Sequence, residues 1–264
     1  MTDFVPTETE PLLEVHGLTR RFGALAACDR VDLSLWPGEV LGIVGESGSG
    51  KTTLLETIGG RQPATAGQIL YRTAGGAAVD ILALPEIDRR RLLRDEWGYV
   101  QQHAHRALRM GVSAGANIGE PLMAGGARRY AAIRGTALDW LRQVEIDAER
   151  VDDPPKQFSG GMRQRLQLAR TLVTHPRLVL MDEPTGGLDV SVQARLLDLL
   201  RRLVREHGLS AIVVTHDFGV ARLLADRLMV MRRGRIVEEG LTDQLLDDPQ
   251  HPYTQLLVSS VLSV

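Results

Sequence analysis

The chain reads as an α/β protein: a parallel sheet flanked by helices, with antiparallel β structure toward the N-terminus and a helical subdomain inserted in the core. Three observations predict this. The apolar runs "VLGIV", "RLVLM" and "SAIVVT" each stop abruptly at polar residues, as buried parallel strands do. A helical pattern separates the last two, giving a strand–helix–strand unit. A glycine-rich stretch, "GESGSGKTT" (Gly45–Thr53), joins the first run to a helix start, "LLETIGG".

Taken in order, "VDLSLW" (Val31–Trp36) alternates apolar and polar residues and predicts a half-buried strand; "PGE" turns the chain into "VLGIV". The middle, roughly Ala104 to Pro155, carries few strand signals and several helical ones, such as "YAAIRGTALDWLRQVEI". The paired prolines of "DDPP" (Asp152–Pro155) are expected to close this helical subdomain, because paired prolines stop a helix. Farther on, Val192, Leu196, Leu199, Leu200, Leu203 and Val204 recur at helical spacing, and Gly208 suits the C-terminal cap. "LMVMRRGRIVEEG" predicts a hairpin turning at Gly234. The expected organisation is a core over residues 11–241, with the helical subdomain at about 104–160, and a helical tail over 242–264.

Bulk properties narrow the function classes. The 264 residues include 31 basic and 33 acidic ones, a net charge of −2, which argues against a strongly basic nucleic-acid binder. Cys28 is the single cysteine, so no intrachain disulfide is possible and a reducing cytoplasm is expected. The opening "MTDFVPTETEP" lacks the pattern of a signal peptide, and no apolar run approaches the ~18 residues of a membrane helix. A soluble chain without a membrane span is expected.

The motifs carry the chemistry. Gly45-x-x-x-x-Gly50-Lys51-Thr52 between a strand and a helix is a complete phosphate-binding loop. Across Gly45, Glu46, Ser47, Gly48, Ser49, Gly50, Lys51, Thr52 and Thr53, backbone N–H groups converge on phosphate oxygens at a helix N-terminus. Lys51 neutralises the β- and γ-phosphates, and Thr52 offers a hydroxyl to Mg²⁺. Asp182 and Glu183 end the strand "LVLMDEP", suited respectively to holding Mg²⁺ and to polarising an attacking water; an acidic surface turn is the plain alternative. His216 stands just past a third strand. If the strands are parallel neighbours, all three ends share one edge, where ligands bind in open α/β sheets. "FSGGMRQR" places Ser159, Gly160 and Gly161 at another helix N-terminus fit for an anion.

At this point the chain resembles the ATP-binding cassette family over nearly its whole length. The family signature is of the Leu-Ser-Gly-Gly-Gln type; here Phe158 opens it and Met162 stands in place of the glutamine. The resemblance implies a nucleotide-binding domain that hydrolyses ATP with Mg²⁺. It makes Phe22 the aromatic that stacks on adenine, an ordinary core phenylalanine being the alternative. Gln102, rather than Gln101, becomes the lid glutamine near Mg²⁺, and His103 and His105 are explained without zinc. Glu183 and His216 become the catalytic residues, and Thr52, Gln102 and Asp182 the metal-side residues. "GGLD", ending in Asp189, matches a loop that crosses a dimer interface. The family implies two cassettes head to tail, so Ser159, Gly160, Gly161 and Met162, with Asp189, belong to the nucleotide-facing set across that interface.

Within the family, the tail "DDPQHPYTQLLVSSVL" resembles oligopeptide-type importer ATPases. The combination of "RRRLLRDEWG", "NIGEPLMAGGARRY", "FSGGMRQRLQLAR" and "VARLLADRLMVM" is more similar to the ATP-binding subunits of phosphonate carbon–phosphorus lyase systems. That resemblance implies docking on soluble lyase core enzymes rather than on a membrane channel. An importer ATPase and a nucleotide-gated assembly module with little turnover stand as alternatives. The arginines of "DRRRLLRDE", with Arg128, Arg129 and Arg134, read as solvated faces; the apolar tail residues at 256, 257, 258, 261 and 262 read as cover for the chain's own core.

Overall fold

Alternation with a period of two organises the molecule, as the computed structural model shows for residues 10–262. The opening segment 1–9 and the last two residues lie outside the described part, as do the side chains at 261 and 262. In chain order the elements are β1 (Leu13–Phe22), β2 (Leu25–Leu35), β3 (Val40–Val44), α1 (Lys51–Ile58), β4 (Ala66–Arg72), β5 (Ala78–Asp80), α2 (Glu86–Glu96) and β6 (Trp97–Val100). There follow α3 (Ala104–Ala107), α4 (Ala114–Ala124), α5 (Tyr130–Gln143), two 3₁₀ turns and α6 (Gly160–Leu172). The chain closes with β7 (Leu178–Asp182), α7 (Val190–His207), β8 (Ser210–Thr215), α8 (Phe218–Leu224), β9 (Arg227–Arg232), β10 (Arg235–Leu241), α9 (Thr242–Asp247) and α10 (Pro252–Leu262).

Two sheets form. Strands β2-β1-β4-β5 make an antiparallel sheet, and β10-β9-β3-β8-β7-β6 make a larger one. In the larger sheet β9, β3, β8, β7 and β6 run parallel, and β10 is the antiparallel edge. Successive side chains leave opposite faces of a strand. Leu41, Ile43, Leu180, Ile212, Val214 and Met229 therefore enter one core, with Leu54, Leu55 and Ile58 of α1 and the inner face of the small sheet. Val40, Val44, Val179, Met181, Ala211, Val213 and Val230 enter the other, beneath α6, α7 and α8. Continuous apolar runs are thus what a sheet covered on both faces demands.

The strand readings hold at β3, β7 and β8, and the β9–β10 hairpin turns at Gly234 (φ 82°). The strand expected at Val31–Trp36 starts earlier, at Leu25, and stops at Leu35. Helix α7 buries Leu196, Leu199, Leu200 and Leu203 and ends at Gly208 in the left-handed region (φ 58°). At Asp152–Pro155 the prolines themselves stop no α-helix. Helix α5 already ends at Gln143, where Glu145 (φ 56°) reverses the chain; the prolines follow a 3₁₀ turn, Ala148–Asp152.

The charged stretches are locally satisfied. On α2, Arg90 pairs with Glu86, and Arg91 and Arg94 with Asp95, leaving a solvated face. Arg134 makes a bidentate pair with Asp152 at 2.7 Å. In the tail, Leu257 and Val258 pack on the core while Leu256 is exposed.

Gly42, in the middle of β3, is packed where a side chain has no room: an added Cβ would run into Leu228 Cδ2 and lie 2.9 Å from Ala225 Cβ. Overpacking of this kind costs about 1–3 kcal/mol. Gly42→Ala is expected to lower stability by that amount, read as a reduced midpoint in urea denaturation.

Candidate functional site

The ends of neighbouring parallel strands build the site. Pairing of Val44 with Thr215 and of Asp182 with Val214 puts the C-terminal ends of β3, β8 and β7 on one edge. The loop after β3 wraps back to start α1. Gly50 precedes that helix at φ 112°, and a Cβ there would strike the Ala27 carbonyl, so only glycine fits. Lys51 is 6% exposed, and its Nζ donates to the Gly45 and Glu46 carbonyls at 2.7 and 2.9 Å. Burial pushes this amine below the usual lysine range, against the opposing pull of Glu183, Asp182 and Glu46. Cys28, on β2, lies behind the loop with Sγ 3.8 Å from the Gly50 carbonyl. Burial pushes its thiol up to about 12.

Thr52 Oγ1 donates to Asp182 Oδ1 at 3.0 Å. Burial raises the Asp182 carboxyl above its ordinary range, with Glu183 and Glu56 adding to the effect and the Thr52 hydrogen bond opposing it. Glu183 adopts φ 45°, uncommon for a side-chain-bearing residue. Its Oε1 accepts from the His216 backbone N at 3.1 Å and meets His216 Nδ1 at 2.6 Å. The Glu183–His216 pair is therefore assembled within this chain.

Gln101 and Gln102 separate cleanly. The Gln101 carbonyl accepts from Gln164 and Gln167 on α6 at 3.3 and 3.1 Å, and Gln164 also donates to the Pro184 carbonyl at 2.8 Å. Gln101 is thereby tied to α6, whereas Gln102 reaches the cavity. His103 and His105 stack with centroids 5.4 Å apart. Among the described residues, no group of three or more His, Cys, Asp or Glu side chains could hold a metal ion.

The cavity has a volume of about 1040 Å³. Phe22, Leu25, Ala26 and Ala27 make an apolar end; Lys51, Thr52, Gln102, Glu183 and His216 make a polar one. Phe22 is 45% exposed under the Arg20 guanidinium, 4.4 Å from the ring centroid, so it is no core residue. A nucleoside triphosphate divides in the same way, into a flat base and a polyanion, and the cavity fits it. Thr52 and Asp182 are oxygen donors suited to Mg²⁺. Because so few carboxylates converge, a cation here would complete its shell with water or phosphate oxygens.

Gly45, Glu46, Ser47, Gly48, Gly50 and Thr53 also line the cavity. Ser49 does not: its hydroxyl is buried and lacks a partner among the described residues. Ser159, Gly160, Gly161, Met162 and Asp189 stand outside the cavity lining as well. Ser159 caps α6, accepting from Met162 N at 3.3 Å. Gly161 lies against Val192 of α7 so closely that a Cβ would collide with it. Asp189 caps α7 through its backbone and is exposed. Sequence reasoning found the turn at Gly234 but not that Arg233 and Gly234 line the cavity, nor that Phe218, and Leu257 with Ser260 of α10, do so. Their approach depends on tertiary packing, and no local pattern marks it.

Comparison with known proteins decides the family. A model described as ABC transporter matches residues 28–186, more than half of the chain. The chain belongs to the ABC transporter family. This cassette is an ATPase of that type and binds adenine nucleotide. An *Escherichia coli* (strain K12) protein named as a phosphonates utilization ATP-binding protein, PhnK, is 64% identical over 253 residues, 96% of the cassette and 98% of that protein. A *Brucella melitensis* protein named as a peptide import ATP-binding protein is 38% identical over 96% of the cassette and 78% of its own length. A second model, for the C-terminal region of oligopeptide/dipeptide transporters, matches residues 237–264. Among solved structures, a dimeric ATP-binding cassette in a post-hydrolysis state, bound to ADP and Pi, superposes with TM-score 0.76 at 30% identity, over 87% of the cassette and 98% of that chain. Among the described residues, no helix is long and apolar enough to cross a membrane.

The raised Asp182 carboxyl has a stability consequence. A folded-state pKa above the unfolded value means that the ionised form is penalised, fully at neutral pH and progressively less as pH falls through the raised value toward that of the unfolded chain. Asp182→Asn is therefore expected to raise the Tm of the nucleotide-free cassette at pH 7. The gain should shrink toward pH 4, which thermal melts across that range would show.

Proposed function

We propose that this cassette is the ATP-hydrolysing subunit of a carbon–phosphorus lyase system for phosphonate breakdown, cytoplasmic, paired head to tail with a second copy and docked on soluble lyase enzymes. The observation that carries this reading is the 64% identity, nearly end to end, to the *E. coli* protein named for phosphonates utilization, against 38% to the peptide import protein. A membrane importer is the second reading, favoured by the match of residues 237–264 to the oligopeptide transporter C-terminal region.

In this reading ATP is the substrate. Phe22 stacks on the base, and the loop from Gly45 to Thr53 takes the phosphates. Lys51 already stands on the loop carbonyls with its charge beside the polar end. Thr52, Asp182 and Gln102 would hold Mg²⁺, which when bound draws charge off the β- and γ-phosphates. Glu183 accepts a proton from, or polarises, the attacking water. His216 directs Nδ1 to Glu183, so a ring carrying both protons can donate from Nε2 to the γ-phosphate. Ser159, Gly160, Gly161 and Met162, with Asp189, lie outside the cavity of their own chain, which suits residues that serve a partner's nucleotide.

The docking face is the segment Gln102–Gly126 with α5. It holds a cavity of about 560 Å³ lined by Gly119, Met123, Tyr130 and Ile133, and both Met123 and Tyr130 are exposed. Arg109 pairs with Glu120 at 3.5 Å, and its backbone is held by Asn117. Arg106 is therefore the cleaner site for a charge reversal.

Lys51→Ala should remove most ATP affinity in an equilibrium titration. Glu183→Gln should keep ATP binding and lower hydrolysis at saturating ATP by about 10²–10⁴-fold, and His216→Ala should do likewise. Tagged cassette from cells growing on a phosphonate as sole phosphorus source should co-purify with soluble lyase enzymes, and Arg106→Glu should weaken that recovery. Capture of a membrane permease and no lyase enzyme would decide for the importer.

A further inference from the structure

The carboxy-terminal helix reaches the phosphate loop. Glu46 N, in the first turn of the loop, donates to the Tyr253 hydroxyl of α10 at 3.3 Å. The same residue's carbonyl receives Lys51 Nζ. Tyr253 is 4% exposed, and the Arg232 guanidinium lies 4.5 Å from its ring centroid. Burial raises the phenol above its usual range, so its proton stays on and can turn to the Glu46 carboxylate. The start of α10 is itself fastened: Glu238 of β10 accepts from the backbone N–H groups of Gln250 and His251 at 2.7 and 3.1 Å. One and two turns farther along, Leu257 and Ser260 form part of the cavity wall. The tail therefore touches the site twice, once at the loop backbone and once at the lining.

We infer that Tyr253 is a positioning residue for the nucleotide: through the Glu46 peptide it fixes the arm of the loop on which Lys51 rests, so that ATP binding and docking of α10 are linked. The inference rests on the nucleotide reading of the cavity. A loop already held in its binding geometry has less freedom to lose when the triphosphate arrives. Linkage is reciprocal, so the nucleotide must hold the tail as firmly as the tail favours the nucleotide.

Tyr253→Phe is the test, because it removes the hydroxyl and keeps the ring under Arg232. The loss of one such hydrogen bond should weaken ATP binding by roughly 2- to 10-fold. KM should rise more than kcat falls, and Tm should change little. Leu256→Ala, an exposed neighbour on α10 outside the lining, should bind ATP as the wild type does. In the wild type, ATP should slow amide hydrogen exchange over residues 252–260, and this protection should diminish in Tyr253→Phe. Unaltered affinity in Tyr253→Phe beside normal wild-type binding would overturn this inference alone. So would an affinity loss shared by Leu256→Ala, or one matched by a large drop in Tm. A wild-type chain that bound no ATP would overturn the nucleotide reading and this inference together.

Discussion

Parallel pairing of β3, β8, β7 and β6 is the constraint on which the rest depends. Registers that set Val44 beside Thr215, Asp182 beside Val214 and Val100 beside Met181 end four strands on one edge. Gln102, Asp182, Glu183 and His216 leave the sheet there, at or within two residues of a strand end, and Lys51 and Thr52 follow in the first turn of α1. A slip of one residue would turn each strand's apolar set to the wrong core. Register is therefore fixed by the same side chains that carry stability, and the site inherits its precision from them.

Much of this was legible in the sequence. Val40–Val44, Leu178–Asp182 and Ser210–Thr215 are continuous apolar runs, and burial on both faces gives such strands their plain signal. The phosphate loop, Asp182, Glu183 and His216 could be read because each stands at the end of such a run. Strands β1, β4, β5 and β6 went unread for a physical reason. The alternation of β1 breaks near Gly17, where its register with β2 and β4 shifts, and β6 has only four residues and pairs with β7, far along the chain. Choosing between Gln101 and Gln102 by sequence needed a family likeness. In the folded chain, two buried amides on α6 hold the Gln101 carbonyl and leave Gln102 to the cavity. The place of α10 beside the loop was invisible, because contacts across more than 200 positions leave no local trace.

The same α6 amides join parts that look separate on paper. Gln164 bridges the Gln101 backbone to the Pro184 carbonyl, next to Glu183, while the first turn of α6 holds Ser159 and Gly161. Helix α6 is thereby tied both to the end of β6 and to the turn that follows β7. Meanwhile burial disfavours the charged forms of both Lys51 and Asp182, a penalty that a bound polyanion and cation would offset. Perturbed groups collected in one cleft are the usual mark of a site organised for a ligand rather than for the empty chain's own stability.

Cys28 has a consequence for chemistry the cassette avoids. Its sulfur sits directly behind the Gly50 carbonyl, close enough that any adduct would distort the phosphate loop. With burial pushing the thiol up to about 12, little reactive thiolate forms at neutral pH. Peroxides and electrophiles thus find almost no nucleophile there while the fold is closed. The one sulfhydryl in the chain is kept redox-silent by burial, and its labelling in solution would count openings of β2 away from the loop, a clock for local unfolding at the centre of the nucleotide site.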